Sequence, residues 1–233
     1  MKQHNFNIIQ LDTCSSTNTL LKEQDYPFNT CLTSCEQTAG RGRLSRKFVS
    51  QKGKGLYFSV LLDKEQYHKV LNRMTCLVAS IIRRALIKQN VSDVLIKWVN
   101  DLYLNNKKIS GILTEVKNNK LIIGVGINLL HQVFPNDINA TSIEDELGIT
   151  VDKDLLLNDI LEGFLTIEED QNELMDEYKK YNIVIHQQVT LLIGEVETEA
   201  YIEDISSDGE LIVTTNGKTQ ILTSCIITKV SIL

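Results

Sequence analysis

Apolar and polar positions alternate over residues 6–11, the two-residue period of a short strand. Ser15-Ser16-Thr17 then offers capping side chains ahead of a helical stretch over 18–24, and a second strand is predicted over 30–34. Over 65–89 the period lengthens. Val70, Met74, Leu77, Val78, Ile81, Ile82, Ala85 and Leu86 fall at helical spacing, which predicts one long helix with a single buried face. Short strands follow at about 94–98, 102–104, 108–116 and 120–127, with Asn105-Asn106 and Asn118-Asn119 as hairpin turns. Residues 152–181 read as one or two amphipathic helices, acidic on the outside.

Beyond residue 182 the pattern becomes β-rich, over 184–193, 197–205, 211–214 and 219–229. Gly194, Ser207-Asp208-Gly209 and Asn216-Gly217 separate these runs, and Asn-Gly is the strongest short hairpin signal. Four or five short strands in about 50 residues predict a small barrel. The boundary is therefore placed at 182, dividing a larger unit over 1–182 from a small one over 183–233.

A chain of 233 residues can build such units with real cores. Its 42% hydrophobic and 23% charged content is that of an ordinary folded protein. A net charge of −6 argues against a globally basic nucleic-acid binder and leaves room for a local basic patch. No apolar run approaches the roughly 18 residues of a membrane span. The first seven residues carry no apolar signal region, so a cytoplasmic location away from membranes is expected. The five cysteines (14, 31, 35, 76 and 225) are odd in number and scattered, which reads as reduced, buried hydrophobes. Cys31 and Cys35 have no second pair to complete a zinc site, and the four histidines are equally dispersed.

Four segments carry candidate chemistry. Residues 37–62 hold no acidic residue, six basic ones (Arg41, Arg43, Arg46, Lys47, Lys52, Lys54) and four glycines (Gly40, Gly42, Gly53, Gly55). A dinucleotide fingerprint fails at Ser45, and no phosphate-loop motif occurs. Two readings stay level: a solvated basic loop, and a cradle in which glycine backbone and arginine forks hold an anion. Residues 96–102 end an apolar strand with Lys97, Asn100 and Asp101, either a turn or a place for magnesium beside substrate phosphates. Lys108 enters an apolar strand ahead of Gly111, as a surface lysine or as one aimed at a carboxylate or phosphate over a flat floor. Residues 124–128 place Gly124 and Gly126 in a buried strand before Asn128, which close packing alone also explains.

In order, the chain reads Ser16-Thr17-Asn18, Gln37-x-x-Gly-Arg-Gly-Arg, Ser50-x-x-Gly53-x-Gly55-Leu56, Lys97-Trp98-x-Asn100-Asp101-Leu102, Lys108-x-x-Gly111-Ile112-Leu113-x-Glu115 and Gly124-x-Gly126-Ile127-Asn128-Leu129. This succession resembles the biotin protein ligases, the biotin–[acetyl-CoA-carboxylase] ligase family, specifically over about residues 11–149 and more loosely to the end. The resemblance implies an α+β fold: a class II aminoacyl-tRNA-synthetase-like catalytic domain, with a mixed sheet and flanking helices, plus a C-terminal SH3-like β-barrel. It implies ATP and biotin as substrates, with Mg²⁺, and the biotin carboxyl carrier protein of acetyl-CoA carboxylase as partner. Homodimer formation through a sheet edge is also implied. Some family members carry an N-terminal helix-turn-helix. Here the first motif starts at residue 16, so a ligase without DNA binding is expected.

Carried over residue by residue, the resemblance implies that Ser16, Thr17, Asn18 and Gln37 line the biotin rings. Arg41, Gly42 and Arg43 would fold over the carboxylate and phosphate, above Gly111. Lys108 would neutralise charge between carboxylate and α-phosphate. Gly40, Phe48, Lys97, Asn100, Gly126 and Asn128 would serve the nucleotide, and Asp101 the metal. Lys108, Arg43 and Asp101 are the implied catalytic set. The sequence departs from the family pattern in having Ser45 where glycine is frequent, Phe48 for tryptophan and Val99 for proline. Lipoate or octanoate ligases and transferases share the fold, and a non-catalytic biotin sensor and a nucleic-acid module are the remaining alternatives.

Overall fold

The computed structural model describes residues 6–230, so the ends of both expected units, 1–5 and 231–233, lie outside the described residues. Seven strands form one sheet: β1 (Asn7–Cys14), β2 (Thr30–Gln37), β3 (Gly55–Asp63), β4 (Leu95–Lys97), β5 (Asp101–Leu104), β6 (Lys107–Lys117) and β7 (Lys120–Asn128). Their spatial order is β1-β2-β3-β7-β6-β5-β4. Among the described residues, β1 and β2 are the one parallel pair of strands in this sheet. Their connection contains the short helix α1 (Thr17–Glu23), because a parallel pair needs a crossover.

β3 and β7 are buried along almost their whole length, which requires cover on both faces. Strand alternation sorts the two layers. Leu61 and Ile122 join Leu21 and Leu32 in a small core beneath α1. Val60, Leu62, Leu121 and Ile123 point the other way, into the main core with α2 (Met74–Lys88). Three further helices follow in sequence: α3 (Ile143–Leu147), α4 (Lys153–Leu165) and α5 (Gln171–Lys180).

The predicted helix over 65–89 is α-helical only from Met74. Residues 64–67 and 71–73 are separate 3₁₀ turns, divided at Val70 (φ −116°, ψ 3°). Asp63 caps the first by accepting from the Glu65 N–H at 3.0 Å. The apolar spacing reported one-sided burial, which these turns also provide: Val70 is fully buried. The acidic segment resolves into α4 and α5, while α3 carried too few residues for a period.

The C-terminal segment forms a five-stranded antiparallel sheet from β8 (Gln188–Ile193), β9 (Val196–Ile205), β10 (Leu211–Thr215), β11 (Lys218–Leu222) and β12 (Ile226–Val230). Its order is β11-β10-β9-β8-β12, and no ladder joins β11 to β12 among the described residues. The predicted run over 219–229 is thus two strands. Chain and core continue across residue 182. The Ile183 N–H bonds to the Ile96 carbonyl at 2.9 Å. Val189, Leu191 and Ile202 belong to the same core as α2. The indole N–H of Trp98 donates to the Gly209 carbonyl at 2.8 Å, fastening the two sheets beside the cleft described next.

Candidate active site

Strand register builds the floor. Tyr57, Gly126, Gly111 and Asp101 oppose one another across β3, β7, β6 and β5, and Ser59, Gly124 and Leu113 form the next row. Beyond the first turn of α1, this face therefore has three positions without side chains, and a cleft of about 820 Å³ opens above them. A Cβ at Gly124 would overlap the Asn18 amide, and one at Gly126 would run into the Phe48 ring. At Gly111 a Cβ would stand 3.0 Å from Lys108 Nζ. Two of the floor glycines are thus dictated by close approach.

A β-bulge delivers the ammonium. Leu102 pairs with Ser110 and Tyr103 with Lys108, so Ile109 is the extra residue. Without that shift Lys108 would share the orientation of Ser110 and Ile112, toward the core. With it, Lys108 turns to the cleft and its Nζ lies 2.6 Å from Asp101 Oδ1. Asn100 is fixed from both sides: its Nδ2 donates to the Ile112 carbonyl at 3.0 Å and its Oδ1 accepts from Arg43 at 3.4 Å. Burial pulls the Lys97 ammonium below the ordinary lysine range, aided by Lys108 and Arg46 and opposed by Asp101. Burial raises the Tyr103 phenol well out of the physiological range.

The basic loop folds over this floor as a flap. The Phe48 N–H bonds to the Gly40 carbonyl at 2.9 Å, and the Gly42 N–H to the Arg46 carbonyl at 2.7 Å. Leu44 (φ 53°) and Ser45 (φ 62°) occupy left-handed backbone at the tip, a region that favours glycine over either residue. Arg43 stands 5.9 Å from the Trp98 ring centroid. The Phe48 ring lies over the floor glycines, edge-on to Tyr57 at 6.4 Å, with Lys108 Nζ 6.0 Å from its centroid.

The other end is polar and buried. The Ser16 hydroxyl caps α1 by accepting from the Thr19 N–H. Gln37 Oε1 accepts from the Thr17 N–H at 2.9 Å, and its Nε2 donates to Ser50 at 3.0 Å. Asn18 Nδ2 donates to the Leu113 carbonyl at 3.2 Å and to Glu115 at 3.1 Å. Glu115 also pairs with Lys22 at 2.7 Å and with Arg41 of the flap at 3.2 Å. Burial would raise its carboxyl, but the bonds from Lys22 and Asn18 and the Arg41 charge prevail and hold it below the usual range.

Ser16, Thr17, Asn18, Gln37, Arg41, Gly42, Arg43, Phe48, Lys97, Asn100, Asp101, Lys108, Gly111 and Gly126 all line this one cleft. Gly40 and Asn128 do not. Gly40 is buried beneath the flap, where a Cβ would overlap the Phe48 carbonyl. Asn128 is buried at the end of β7, its Nδ2 donating to the Thr141 carbonyl at 3.0 Å. Reading the sequence missed Trp98, Tyr103 and Ser59 as lining residues, together with Ile226 and Ile227 from the second sheet. Period-two alternation from Tyr57 would have found Ser59; nothing local announces the distant isoleucines.

Arg41, Arg43, Arg46, Lys47, Lys97 and Lys108 face the cleft against the carboxylates of Asp101 and Asp137. In a chain of net charge −6, that is a strong local excess for anions. No cluster of three or more metal-ligating residues occurs among the described residues. One carboxylate beside a cationic cleft nevertheless fits magnesium that arrives on substrate phosphates.

A mixed sheet, a glycine floor and an arginine flap define an α+β domain built to hold an anionic, extended ligand. The model of the Biotin/lipoate A/B protein ligase family matches residues 11–130, more than half of the chain, and the chain belongs to that family. The structure of the biotin protein ligase from Aquifex aeolicus in complex with biotin and ATP superposes with a TM-score of 0.81 at 30% identity, covering 94% of this chain and 96% of that one. The biotin–[acetyl-CoA-carboxylase] ligase of Mycobacterium tuberculosis is 26% identical over 81% of this chain and 74% of its own. The bifunctional ligase/repressor BirA of Bacillus subtilis is 34% identical over 69% of this chain, and the match spans 52% of that relative's length.

Proposed function

We propose that the chain is a biotin–protein ligase that activates biotin with ATP and passes it to a lysine of the biotin carboxyl carrier protein of acetyl-CoA carboxylase. One observation carries the reading. The Lys108 ammonium, the Arg43 guanidinium and a buried polar pocket around Thr17 and Asn18 share a single cleft, in a chain that aligns over 94% of its length with a ligase in complex with biotin and ATP.

A carboxylate oxygen is a poor leaving group, so amide formation with lysine needs prior activation. In the first step a biotin carboxylate oxygen bonds to the α-phosphorus of ATP and the bond to the β-phosphate oxygen breaks, releasing pyrophosphate. In the second, the carrier lysine amine attacks the carbonyl of biotinyl-5′-AMP, and AMP leaves with the electron pair of the anhydride bond. Both steps move negative charge among carboxylate and phosphate oxygens. Preorganised donors at that point supply most of the acceleration. Lys108 stands there, oriented by Asp101. Arg41, Gly42 and Arg43 close from above and keep water from the anhydride. Ser16, Thr17, Asn18 and Gln37 hold the ring system, while Phe48, Lys97, Asn100, Gly111 and Gly126 serve the nucleotide. Asp101, besides pairing with Lys108, would be the carboxylate that holds magnesium arriving on substrate phosphates, and the ion would supply charge neutralisation there.

The hydroxyls and amides at the ring end make that wall of the cleft polar, which matches a ligand with its own N–H and C=O groups better than a dithiolane or an alkyl chain. No helix among the described residues is long and apolar enough to cross a membrane. The test is exchange of labelled pyrophosphate into ATP. Exchange that requires biotin supports the reading; exchange with lipoate alone, or none, rejects it.

A further inference from the structure

Ser59 is fully buried on β3 and belongs to none of the motifs above. Its hydroxyl lies 2.6 Å from Thr17 Oγ1 and 2.5 Å from Asn18 Oδ1. The direction of every hydrogen bond in this chain follows from the acceptor-only groups at its far end. The Leu113 carbonyl and the Glu115 carboxylate can only accept, so both take N–H groups from the Asn18 amide. The Asn18 oxygen must then face Ser59, and Ser59 spends its one proton on it. Thr17 consequently donates to Ser59, since Ser59 has no proton left to give. The alternative acceptor for the Thr17 proton, Gln37 Oε1, is farther at 3.2 Å and already accepts from the Thr17 N–H.

The result is a hydroxyl with a defined sense. Thr17 lines the cleft with its proton turned inward to Ser59, and so presents a lone pair outward. We infer that Ser59 is a positioning and specificity residue: it makes Thr17 a hydrogen-bond acceptor and tunes the pocket for a ring that carries an N–H. This rests on the biotin-ligase reading and deepens it. A cyclic urea supplies such an N–H, whereas a dithiolane or a fatty acyl chain does not. Ser59 acts through Thr17 and needs no contact with the ligand. Glu115 fixes the polarity from the opposite end and ties it to the flap through Arg41.

The test is steady-state biotin-dependent pyrophosphate exchange by the full chain carrying Ser59→Ala, Thr17→Val, or both. Ser59→Ala removes the acceptor that fixes the Thr17 proton inward and leaves that proton divided between the more distant Gln37 oxygen and the cleft. Its biotin KM should rise roughly tenfold, the scale of one buried hydrogen bond, with kcat within threefold and the ATP KM unchanged. Because both substitutions remove the same acceptor, the double variant should match Thr17→Val rather than the product of the two effects. A biotin KM within twofold of the parent, additive effects, or a parallel loss of kcat and ATP affinity would overturn the inference. If Ser59→Ala does not fold, Ser59→Cys keeps the volume with a weaker donor and gives the same KM-only signature. An unsubstituted chain without exchange removes the ligase reading itself, and this inference with it.

Discussion

Lys108 Nζ and Asp101 Oδ1 are 2.6 Å apart across the β5–β6 hairpin, on the same face as the glycine floor. The carboxylate holds the ammonium over Gly111, where charge would develop between an acid and a phosphate. Lys108→Ala should lower adenylate formation roughly 10²-fold, the scale for losing one preorganised donor. Pyrophosphate release measures it directly, and a near-normal rate would remove Lys108 from the chemistry.

Arg43 reaches over the cleft to Asn100 and Trp98. If the flap retains the mixed anhydride through this side chain, Arg43→Gly should release biotinyl-5′-AMP into solution. Bystander proteins would then acquire biotin on surface lysines. Labelling that stays confined to the carrier would show that retention depends on other residues.

Gly124 faces Asn18 so closely that a methyl group there would displace the amide. Gly124→Ala should raise the dissociation constant for biotin roughly tenfold, the scale of one displaced buried hydrogen bond, with a smaller effect on ATP. Calorimetry with each ligand separately distinguishes this from general damage, which would weaken both alike.

Trp98 is the chain's only tryptophan and lines the cleft beneath Arg43. Flap closure on biotin and ATP should therefore alter intrinsic fluorescence, and should protect residues 40–55 from proteolysis. Unchanged emission with equal cleavage in both states would mean that the flap does not close.

Much of this was legible in the sequence because it is local. Hairpins at Asn105-Asn106 and Asn118-Asn119 were marked by residues that accept positive φ. The strands they join were marked by alternation. The cationic loop stood out by composition. What stayed hidden depends on register or on distant packing. The bulge at Ile109 decides that Lys108 faces the cleft, yet a one-residue shift in pairing leaves no trace in hydrophobicity. Asn128 stands at the end of its predicted strand, and the direction of its amide N–H, toward the Thr141 carbonyl, follows from packing that spacing does not encode. Gly40 shares the flap's composition and serves beneath it as a spacer. Ile226 and Ile227 reach the cleft only because the second sheet docks beside Trp98, a contact that no spacing encodes.

The central claim is that this cleft joins a vitamin's carboxylate to a carrier lysine through an adenylate. Incubation with labelled biotin, ATP, magnesium and a biotin carboxyl carrier domain, followed by mapping of the modified residue, tests it most directly. The account predicts one biotin on the target lysine, dependent on ATP and abolished when that lysine is replaced by arginine. A carrier left unmodified by the folded chain, or one modified with lipoate but not with biotin, would contradict it.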